Sequence, residues 1–316
     1  MANLTQFCEK LNMFSNYAII CHVRPDGDAV GSALALKLGL NSLGKNADIF
    51  CEDEIPEKFF FIEGMSEFSV FPNKEYDAVV SVDCADEGRI GTLFDFYKKH
   101  KFTFNIDHHV SNTKYAKENL VIDSASNCEN IYAVLKELNA KIDTKIANAL
   151  LLGISTDSGQ FSHQNLTSSP FLVAADLVDN GADINKIYYE NYKRKSKQKA
   201  KLFSLVCSNI KYDLDDRLAF AIISEKTIAD CLANSDDTEG IIDFVLSIDC
   251  VEVAVSVMEF GQNRYKISFR SKGVNVNEIA SRFGGGGHVL ASGCMINGNL
   301  YDVLDKITST VKQFLA

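Results

Sequence analysis

The stretch YAIICHVRPDGDAVGSALALKLGLNSLG, residues 17–44, decides the fold class of this chain. It begins with an apolar run of strand length and passes through the polar loop RPDGD. It ends in an apolar segment of helical length that Gly44 terminates. An apolar strand followed at once by a buried helix is typical of parallel sheets with helices on both faces. Residues 17–44 therefore predict an α/β domain.

Three further strand candidates in the first half of the chain follow the same pattern. They are ADIFCED (47–53), DAVVSVDCAD (77–86) and KFTFNIDHH (101–109), and each ends in carboxylates or histidines. Polar groups at the end of a buried strand are costly unless something binds them. Ligands of open α/β sheets gather at the carboxyl ends of the strands. We therefore expect a mainly parallel sheet with a ligand site at that edge.

The character of the segments changes from about residue 210. The β-rich segments are RLAFAIIS (217–224), VEVAVSVMEF (251–260) and RYKISFRS (264–271), and the glycine run FGGGGHVLASG (283–293) and a last helix follow them. These segments predict a smaller α+β domain over residues 210–316, after a first domain over 1–190 and a helical linker over 191–209. We interpret the basic run 193–201 as a solvated helix face, because the chain as a whole is acidic.

Composition limits the classes of function. The 316 residues, 46% of them hydrophobic, suffice for two domains that each bury a core. No segment reaches the roughly 18 apolar residues of a membrane span, and the start MANLTQFCEK does not resemble a signal peptide. The nine cysteines are scattered without a CxxC pair, which indicates reduced thiols in a cytoplasmic protein with no membrane partner. The net charge of −10 argues against a long nucleic-acid track but allows a short anionic substrate.

Four groups of polar residues fall at the predicted strand and helix ends. They are His22, Asp26 and Asp28; Asp83; Asp107, His108 and His109; and Asp157. Each group alone has an ordinary explanation, since Asp28 can cap the next helix and Asp157 can cap a turn. Together, so many carboxylates in one crevice would repel one another unless cations are bound there. The set favours Mn²⁺- or Mg²⁺-like ions over a thiolate-rich zinc site.

Four motifs give the chain a family resemblance. HVRPDGDAVGS, VDCAD, NIDHHVSN and GISTDSGQF resemble the metal motifs of the DHH phosphoesterases, and ISFRSKGVNVNEIASRFGGGGHVLASG is similar to their DHHA1 domain. The resemblance runs from about residue 17 to 296 and is greatest to the stand-alone nanoRNase type. Two departures are TKYAKEN after HHVSN, where many relatives have Phe-Gly, and ASG in place of the commoner AAG.

The resemblance implies a metal-binding α/β domain, an α+β substrate domain and a cleft between them. It implies one metal held by His22, Asp26 and Asp83, and a second held by Asp28, Asp83, His108 and Asp157, with Asp83 bridging. His109 would face the scissile phosphate while Asp107 orients the motif, so Asp83, Asp107 and His109 form the implied catalytic group. Two divalent ions, Mn²⁺ first with Mg²⁺ or Co²⁺ as alternatives, would activate a water and clamp the reacting oxygens.

The resemblance also implies a set of substrate contacts. They are Arg270, Ser271, Gly286, Gly287 and His288, with Arg89 and Asn112 as weaker candidates. A glycine run lets the backbone approach a ligand closely, and its N–H groups can line a phosphate. Glycine alone fits a flexible hinge equally well, and an arginine on a surface needs no ligand. His288 and Arg270 favour the anion site, because guanidinium suits bidentate phosphate contact.

The implied activity is metal-dependent hydrolysis of very short RNAs, about two to five nucleotides long, to 5′-mononucleotides. Many members of this type also act on 3′-phosphoadenosine 5′-phosphate. The alternatives are a phosphodiesterase for cyclic dinucleotides or for pApA and pGpG, and, from another class, a nucleotide sensor without catalysis. A processive DNA exonuclease and a pyrophosphatase fit less well, the first for lack of additional domains and the second because of the GGGGH run. The sequence does not decide between a monomer and a homodimer.

Overall fold

A computed structural model describes residues 2–163 and 166–315. The chain divides into two compact units, Met1–Arg194 and Lys195–Ala316. This division falls inside the region 191–209 that we predict as a linker, and most of that region forms a helix whose buried residue Leu202 belongs to the second unit. No helix among the described residues has the length and apolar character needed to cross a membrane. The nine cysteines are all unpaired thiols.

The first unit is built on five strands: β1 (Asn16–Ile20), β2 (Asn46–Phe50), β3 (Ala78–Val82), β4 (Thr103–Asp107) and β5 (Glu118–Val121). Its α-helices are α1 (Ala2–Leu11), α2 (Gly27–Ser42), α3 (Phe94–Tyr97), α4 (Asn127–Glu137), α5 (Thr144–Asp157), α6 (Ser169–Asp179) and α7 (Ile184–Tyr188). Short 3₁₀ turns lie at Glu57–Phe59, Met65–Glu67 and Glu87–Leu93, and a π-helical turn at Tyr189–Lys193. The strand order is β2-β1-β3-β4-β5 with every neighbouring pair parallel, which confirms the predicted α/β class.

The topology of this sheet locates a crevice. β3 and β4 are buried along their whole length, because helices pack on both faces of the sheet; β3 is a largely apolar run, whereas β4 also buries the polar residues Thr103, Asn105 and Asp107. The order of strands reverses at β1, which has β2 on one side and β3 on the other. Crevices form at the carboxyl ends of strands where such a reversal occurs. His22 lies just beyond the end of β1 and Asp83 directly follows β3, so both residues stand at this crevice.

Glycines allow α2 and α5 to approach closely. A Cβ atom on Gly31 of α2 would lie 2.5 Å from the carbonyl oxygen of Ala149 in α5. A Cβ atom on Gly153 of α5 would lie 2.3 Å from Sγ of Cys128 and 2.7 Å from Oδ1 of Asp28. Side chains therefore cannot be accommodated at these two positions without displacing their neighbours. The close contact brings the first turn of α2, with Asp28, beside the last residue of α5, Asp157.

The second unit is the predicted α+β domain. Its strands are β6 (Lys211–Asp213), β7 (Leu218–Ile223), β8 (Val253–Glu259), β9 (Arg264–Ser271), β10 (Gly286–His288) and β11 (Ala291–Asn297), in the order β10-β11-β9-β8-β7-β6. Its helices are α8 (Lys197–Cys207), α9 (Glu225–Asp230), α10 (Ile241–Ser247), α11 (Val276–Ser281) and α12 (Leu300–Val311), with a 3₁₀ turn at Asp236–Thr238. β7 and β8 are parallel, whereas the other neighbouring strands are antiparallel.

Two apolar cores flank this mixed sheet. The core beneath α11 and α12 includes Phe269, Ile279 and Ile307. The core on the opposite face includes Leu202 of α8 and Val245 of α10, and it packs on β7 and β8. The unit thus has an apolar interior of its own.

The glycine run forms a hairpin. Gly286–His288 pairs with β11 as an edge strand, and Val289 and Leu290 make the turn between them. Gly287 has a φ of +149°, and a Cβ atom there would lie 2.6 Å from the carbonyl oxygen of Ala291. Glycine is therefore required at this position to close the hairpin.

Candidate metal centre

Asp83 stands between two clusters of polar side chains. Its Oδ2 lies 3.4 Å from Nε2 of His22, and its Oδ1 lies 3.4 Å from Nε2 of His108. The residue is 2% exposed, and Oδ1 has no hydrogen-bond partner among the described residues. Three overlapping groups of donor atoms result: His22, Asp26 and Asp83; Asp28, His108 and Asp157; and Asp83, His108 and His109.

The first cluster is oriented by α2 and by the backbone after β1. Nδ1 of His22 lies 2.9 Å from the carbonyl oxygen of Val23, so Nδ1–H donates there and Nε2 faces the carboxylates. Asp26 is the N-cap of α2, where its Oδ1 accepts from the backbone N–H groups of Asp28 and Ala29. Its Oδ2 lies 3.6 Å from Nε2 of His22. The helix cap is thus Asp26, and the capping role that Asp28 could have had from sequence is excluded.

The second cluster joins three helix ends. Nε2 of His108 lies 3.5 Å from Oδ2 of Asp157 and 3.9 Å from Oδ2 of Asp28, while its Nδ1 faces the carbonyl oxygen of Ser124. The carboxylate of Asp28 accepts hydrogen bonds of 2.5 and 2.9 Å from the backbone N–H groups of Asn127 and Cys128. Asp28 therefore occupies the N-terminus of α4, where the helix dipole favours a negative charge.

The spacing of these atoms fits shared ions better than direct contacts. The histidine–carboxylate distances in the two clusters run from 3.4 to 3.9 Å, whereas charged N–H···O hydrogen bonds are about 2.7–2.9 Å long. Oxygen and nitrogen ligands about 2.1 Å from one ion lie about 3–4 Å from each other. The unpartnered Oδ1 of Asp83, which is buried, points to the same conclusion because such an atom is costly.

The pKa values of the carboxyl and imidazole groups are shifted in directions that reflect an excess of negative charge in the site. Burial, and then the charges of Asp83 and Asp157, raise the pKa of the Asp28 carboxyl well above its usual range. Burial raises the pKa of Asp157 to about 6. Burial lowers the pKa of His22, but the carboxylates of Asp26 and Asp83 outweigh it and raise the value to about 10. Four carboxylates and two imidazoles facing one another thus fit a pair of divalent cations.

His109 is oriented differently from the other two histidines. Its Nδ1–H donates to Oδ1 of Asp107 over 2.8 Å, and that hydrogen bond raises the pKa of His109. Asp107 is fully buried, and its Oδ2 accepts from the amide of Asn112 over 2.6 Å. The His109 side chain is 37% exposed, against 13% for His108, so its free Nε2 is accessible to a ligand.

The predicted substrate residues have varied environments. The Asn112 amide also donates to Oδ1 of Asn105, which commits it to the network that holds Asp107. Ser271 is buried and its hydroxyl donates to the carbonyl oxygen of Val274, so it stabilises a turn. The backbone carbonyl of Arg89 accepts a hydrogen bond from the N–H of Val23. Arg89 is half-buried, and its guanidinium forms no ion pair within the described residues.

In the second unit, the other predicted contacts lie at the hairpin. His288 pairs with Ala291 of β11, which in turn pairs with Arg270 of β9. Gly286 and Gly287 lie beside His288 in the exposed strand β10. Arg270 is half-buried, and its Nε lies 3.9 Å from Oδ1 of Asp243.

Two supporting residues are absent from our predictions. Asn105 is fully buried in β4 and donates to Oγ of Ser81 and to the hydroxyl of Tyr115. Tyr192 donates to the carbonyl oxygen of Ser155, two residues before the end of α5. An asparagine inside an apolar strand is a visible signal for such a network, since it needs several partners. Tyr192 carries no comparable sequence signal.

Comparison with known proteins agrees with this geometry. A family model described as "DHH family, N-terminal domain" matches residues 16–154, and one described as "DHHA1 domain" matches residues 224–316. A Thermus thermophilus protein named bifunctional oligoribonuclease and PAP phosphatase NrnA is 30% identical over 94% of this chain and 89% of its own. A Bacillus subtilis protein of the same name is 26% identical over 98% and 97%.

Solved structures share the fold. An exopolyphosphatase-related protein from Bacteroides fragilis superposes with a TM-score of 0.86 at 23% identity, covering 99% of this chain and 96% of the other. A structure of the exonuclease RecJ bound to manganese superposes with a TM-score of 0.56 at 13% identity, covering 99% and 95%. The family matches, the identity to the Thermus protein and the arrangement of the polar clusters agree: the chain belongs to the DHH family and carries its DHHA1 domain.

Proposed function

We propose that this protein is a metal-dependent phosphodiesterase that hydrolyses oligoribonucleotides of about two to five residues to 5′-mononucleotides. We extend the proposal to 3′-phosphoadenosine 5′-phosphate as a second substrate. The observation that carries it is Asp83, whose two carboxylate oxygens each face a separate histidine–aspartate cluster. The names of the Thermus and Bacillus relatives, which match nearly the whole chain, support the same substrates here.

The proposed ligands are those that the clusters bring together. His22, Asp26 and Asp83 would hold one ion, and Asp28, Asp83, His108 and Asp157 would hold the other. Oxygen donors outnumber nitrogen donors and no thiolate takes part, which favours Mn²⁺, with Mg²⁺ or Co²⁺ as substitutes. Two such ions, when bound, polarise a phosphoryl oxygen and lower the pKa of a water.

The remaining chemistry belongs to His109. Asp107 fixes the orientation of the ring by accepting from Nδ1–H, so Nε2 points away from the Asp107 carboxylate. The raised pKa of His109 favours the protonated ring, which can donate from Nε2 to a phosphoryl oxygen as negative charge develops. Burial of Asp107 and its bond from Asn112 keep this pair from rotating.

Substrate binding is assigned to the second unit, through Arg270, Gly286, Gly287 and His288. Arg89 stays a weaker candidate in the first unit, and the environments of Asn112 and Ser271 favour structural roles for both. A cytoplasmic location fits a chain whose nine cysteines are all free thiols.

The test is a comparison of hydrolysis rates on five substrates, with Mn²⁺ and after exhaustive chelation. The substrates are a short RNA, pApA, pGpG, 3′-phosphoadenosine 5′-phosphate and a cyclic dinucleotide. We expect turnover of the short RNA and the linear dinucleotides, lost on chelation and restored by Mn²⁺. Turnover confined to the cyclic dinucleotide would replace the proposed substrate. Unchanged rates after chelation, or no turnover of any of the five, would contradict the proposal, and the second result would favour a nucleotide sensor.

A further inference from the structure

One face of β9 is polar and accessible. Successive residues of a strand point to opposite faces of the sheet. Tyr265, Ile267 and Phe269 are buried in the core beneath α11 and α12. The alternate residues of β9, on the other face, are exposed or half-buried; they are Arg264, Lys266, Ser268 and Arg270.

The neighbouring strands add no negative charge to this face. Lys266 pairs with Met295 of β11, and Ser268 pairs with Gly293, which itself pairs with Gly286 of β10. On the other side, β8 contributes Ala254, Ser256 and Met258 to the same face. Among the described positions of these four strands on this face, every charged or titratable side chain is therefore basic. From α10, which packs on the same face, Oδ1 of Asp243 lies 3.9 Å from Nε of Arg270 and offsets its charge, whereas Lys266 forms no ion pair among the described residues.

A groove of about 420 Å³ lies in this face. Its lining includes Lys266, Ser268, Gly284, Gly293 and Met295. The groove lies on the N-terminal side of β10, next to its first residue, Gly286, which pairs with Gly293. Backbone forms much of its floor, so a ligand can approach the sheet closely between a cation and an exposed thioether.

Lys266 in the groove lies four residues before Arg270 in β9, and this distance separates the groove from the neighbouring residues Arg270 and His288. Residues four apart in a strand are about 13 Å apart, at about 3.3 Å per residue. Arg270 and Lys266 therefore present two cationic positions on one face, with the small residues Ser268 and Gly293 between them. One phosphate cannot contact both at once in this spacing, whereas two phosphates joined through a nucleoside can.

We propose that the groove at Lys266 is a second phosphate subsite, which holds the next phosphate of a substrate longer than a dinucleotide. Lys266 supplies the charge, the Ser268 hydroxyl donates a hydrogen bond, and Met295 offers apolar contact to the adjoining nucleoside. This inference rests on the proposed function, because it takes an oligoribonucleotide as the ligand. It predicts that Lys266 affects affinity according to substrate length.

The experiment compares Lys266→Ala and Lys266→Arg in the full chain with Lys306→Ala. Lys306 is exposed on α12, which packs on the opposite face of the same sheet, so it is a control for charge. Fluorescently labelled oligoadenylates of two and five residues, each with a 5′-phosphate, are titrated in EDTA at several salt concentrations. Initial rates of the first cleavage are then measured with Mn²⁺ for both lengths.

We expect Lys266→Ala to weaken pentamer binding about fivefold more than dimer binding and to lower the salt slope for the pentamer by about one. Lys266→Arg should restore most of the difference, and Lys306→Ala should match the wild type at both lengths. Equal effects of Lys266→Ala on dimer and pentamer, or no effect on either, would overturn the subsite. If the wild type binds but cleaves neither length, the proposed function fails, while the binding comparison still decides the subsite.

Discussion

At the scale of single residues, Asp83 explains most of the site. Its φ of +58° places it in the left-handed region, which aspartate and asparagine tolerate better than other residues with a Cβ. This backbone turn directly after β3 lets one carboxylate face both His22 and His108. His108 and His22, working against burial, hold the pKa of Asp83 well below its usual range, so it stays ionised.

Asp83→Asn should therefore damage the site more than any other change of a proposed ligand. Asparagine keeps the shape and the backbone conformation but loses the charge that both clusters need. We expect loss of both metals and a fall in turnover of more than about 100-fold, since even residues that only orient ligands are worth about 10–100-fold. Asp26→Asn is the matched control, because asparagine preserves the helix cap and only one cluster is affected. Metal content and kcat measured side by side test this, and an Asp83→Asn enzyme with two metals and a near-normal rate would disprove the bridging role.

Metal binding should release protons from the histidines. In the metal-free protein the pKa of His22 and that of His108, raised by the carboxylates against the effect of burial, are about 10. Both rings are thus protonated at pH 7.5, and each must lose its proton to bind a metal. Affinity for the metal should therefore fall steadily as the pH drops below about 10, and activity at subsaturating metal should fall with it. Titration calorimetry with Mn²⁺ in buffers of different ionisation enthalpy should show about two or more protons released, and release of none would contradict the assignment.

The raised pKa values of His22 and His108 also determine how the stability of the metal-free protein depends on pH. The folded pKa values lie above the unfolded value of about 6.5. The stabilisation from these histidines is therefore complete below about pH 6.5 and is lost as the pH rises through about 10.

At the scale of elements, the position of the ligands depends on how α2 and α5 meet. Gly153→Ala would place a methyl group against Asp28 and Cys128. We expect a loss of about 1–3 kcal/mol in the free energy of unfolding and weaker metal binding, because overpacking displaces the first turn of α2. Gly273→Ala is the control, since a Cβ atom there meets no atom within 4 Å and should change stability by less than about 0.5 kcal/mol. Thermal unfolding and metal titration of both variants test the prediction, which fails if the two behave alike.

The elements also show which parts of the site can be predicted from sequence. The strands before His22 and Asp83 are largely apolar runs, and the strand before His108 alternates polar and apolar residues, so their carboxyl ends could be located and the clusters grouped. The direction in which single side chains point could not be predicted from the sequence. Whether Asp26 or Asp28 caps α2 depends on the loop conformation around Pro25, and Ser271 faces inward because of the turn that follows β9.

Contacts between residues far apart in the chain are even harder to predict from the sequence. The partner of the Asp28 carboxylate, the start of α4, lies about 100 residues away in the chain. No local pattern encodes that contact.

At the scale of the whole molecule, the two units carry separate apolar cores, so damage in one need not affect the other. His288→Ala changes an exposed edge position of the second unit and should raise KM about five- to tenfold with metal content unchanged. It should lower kcat less, through poorer positioning of the substrate. His108→Ala should lose metal and abolish turnover. The measurement is KM, kcat and metal content for both variants, with His288→Gln as the conservative replacement.

The substrate range belongs to this scale as well. Long RNA should be cut more slowly than dimers to about pentamers, because an acidic chain offers no extended cationic track. A series of initial rates against RNA length decides this. Faster cleavage of long RNA, or a His288→Ala enzyme identical to the wild type at every length, would show that the glycine hairpin has no part in binding.

The position of Asp28 affects how inactive descendants of this chain should be interpreted. Its carboxylate accepts from two backbone N–H groups at the start of α4, and the residue is 1% exposed. A lineage that gave up catalysis would still gain from that acceptor at the start of α4, by about the 0.5–2 kcal/mol that a helix cap contributes. Retention of this aspartate is thus evidence for an intact fold and not, by itself, for a working enzyme.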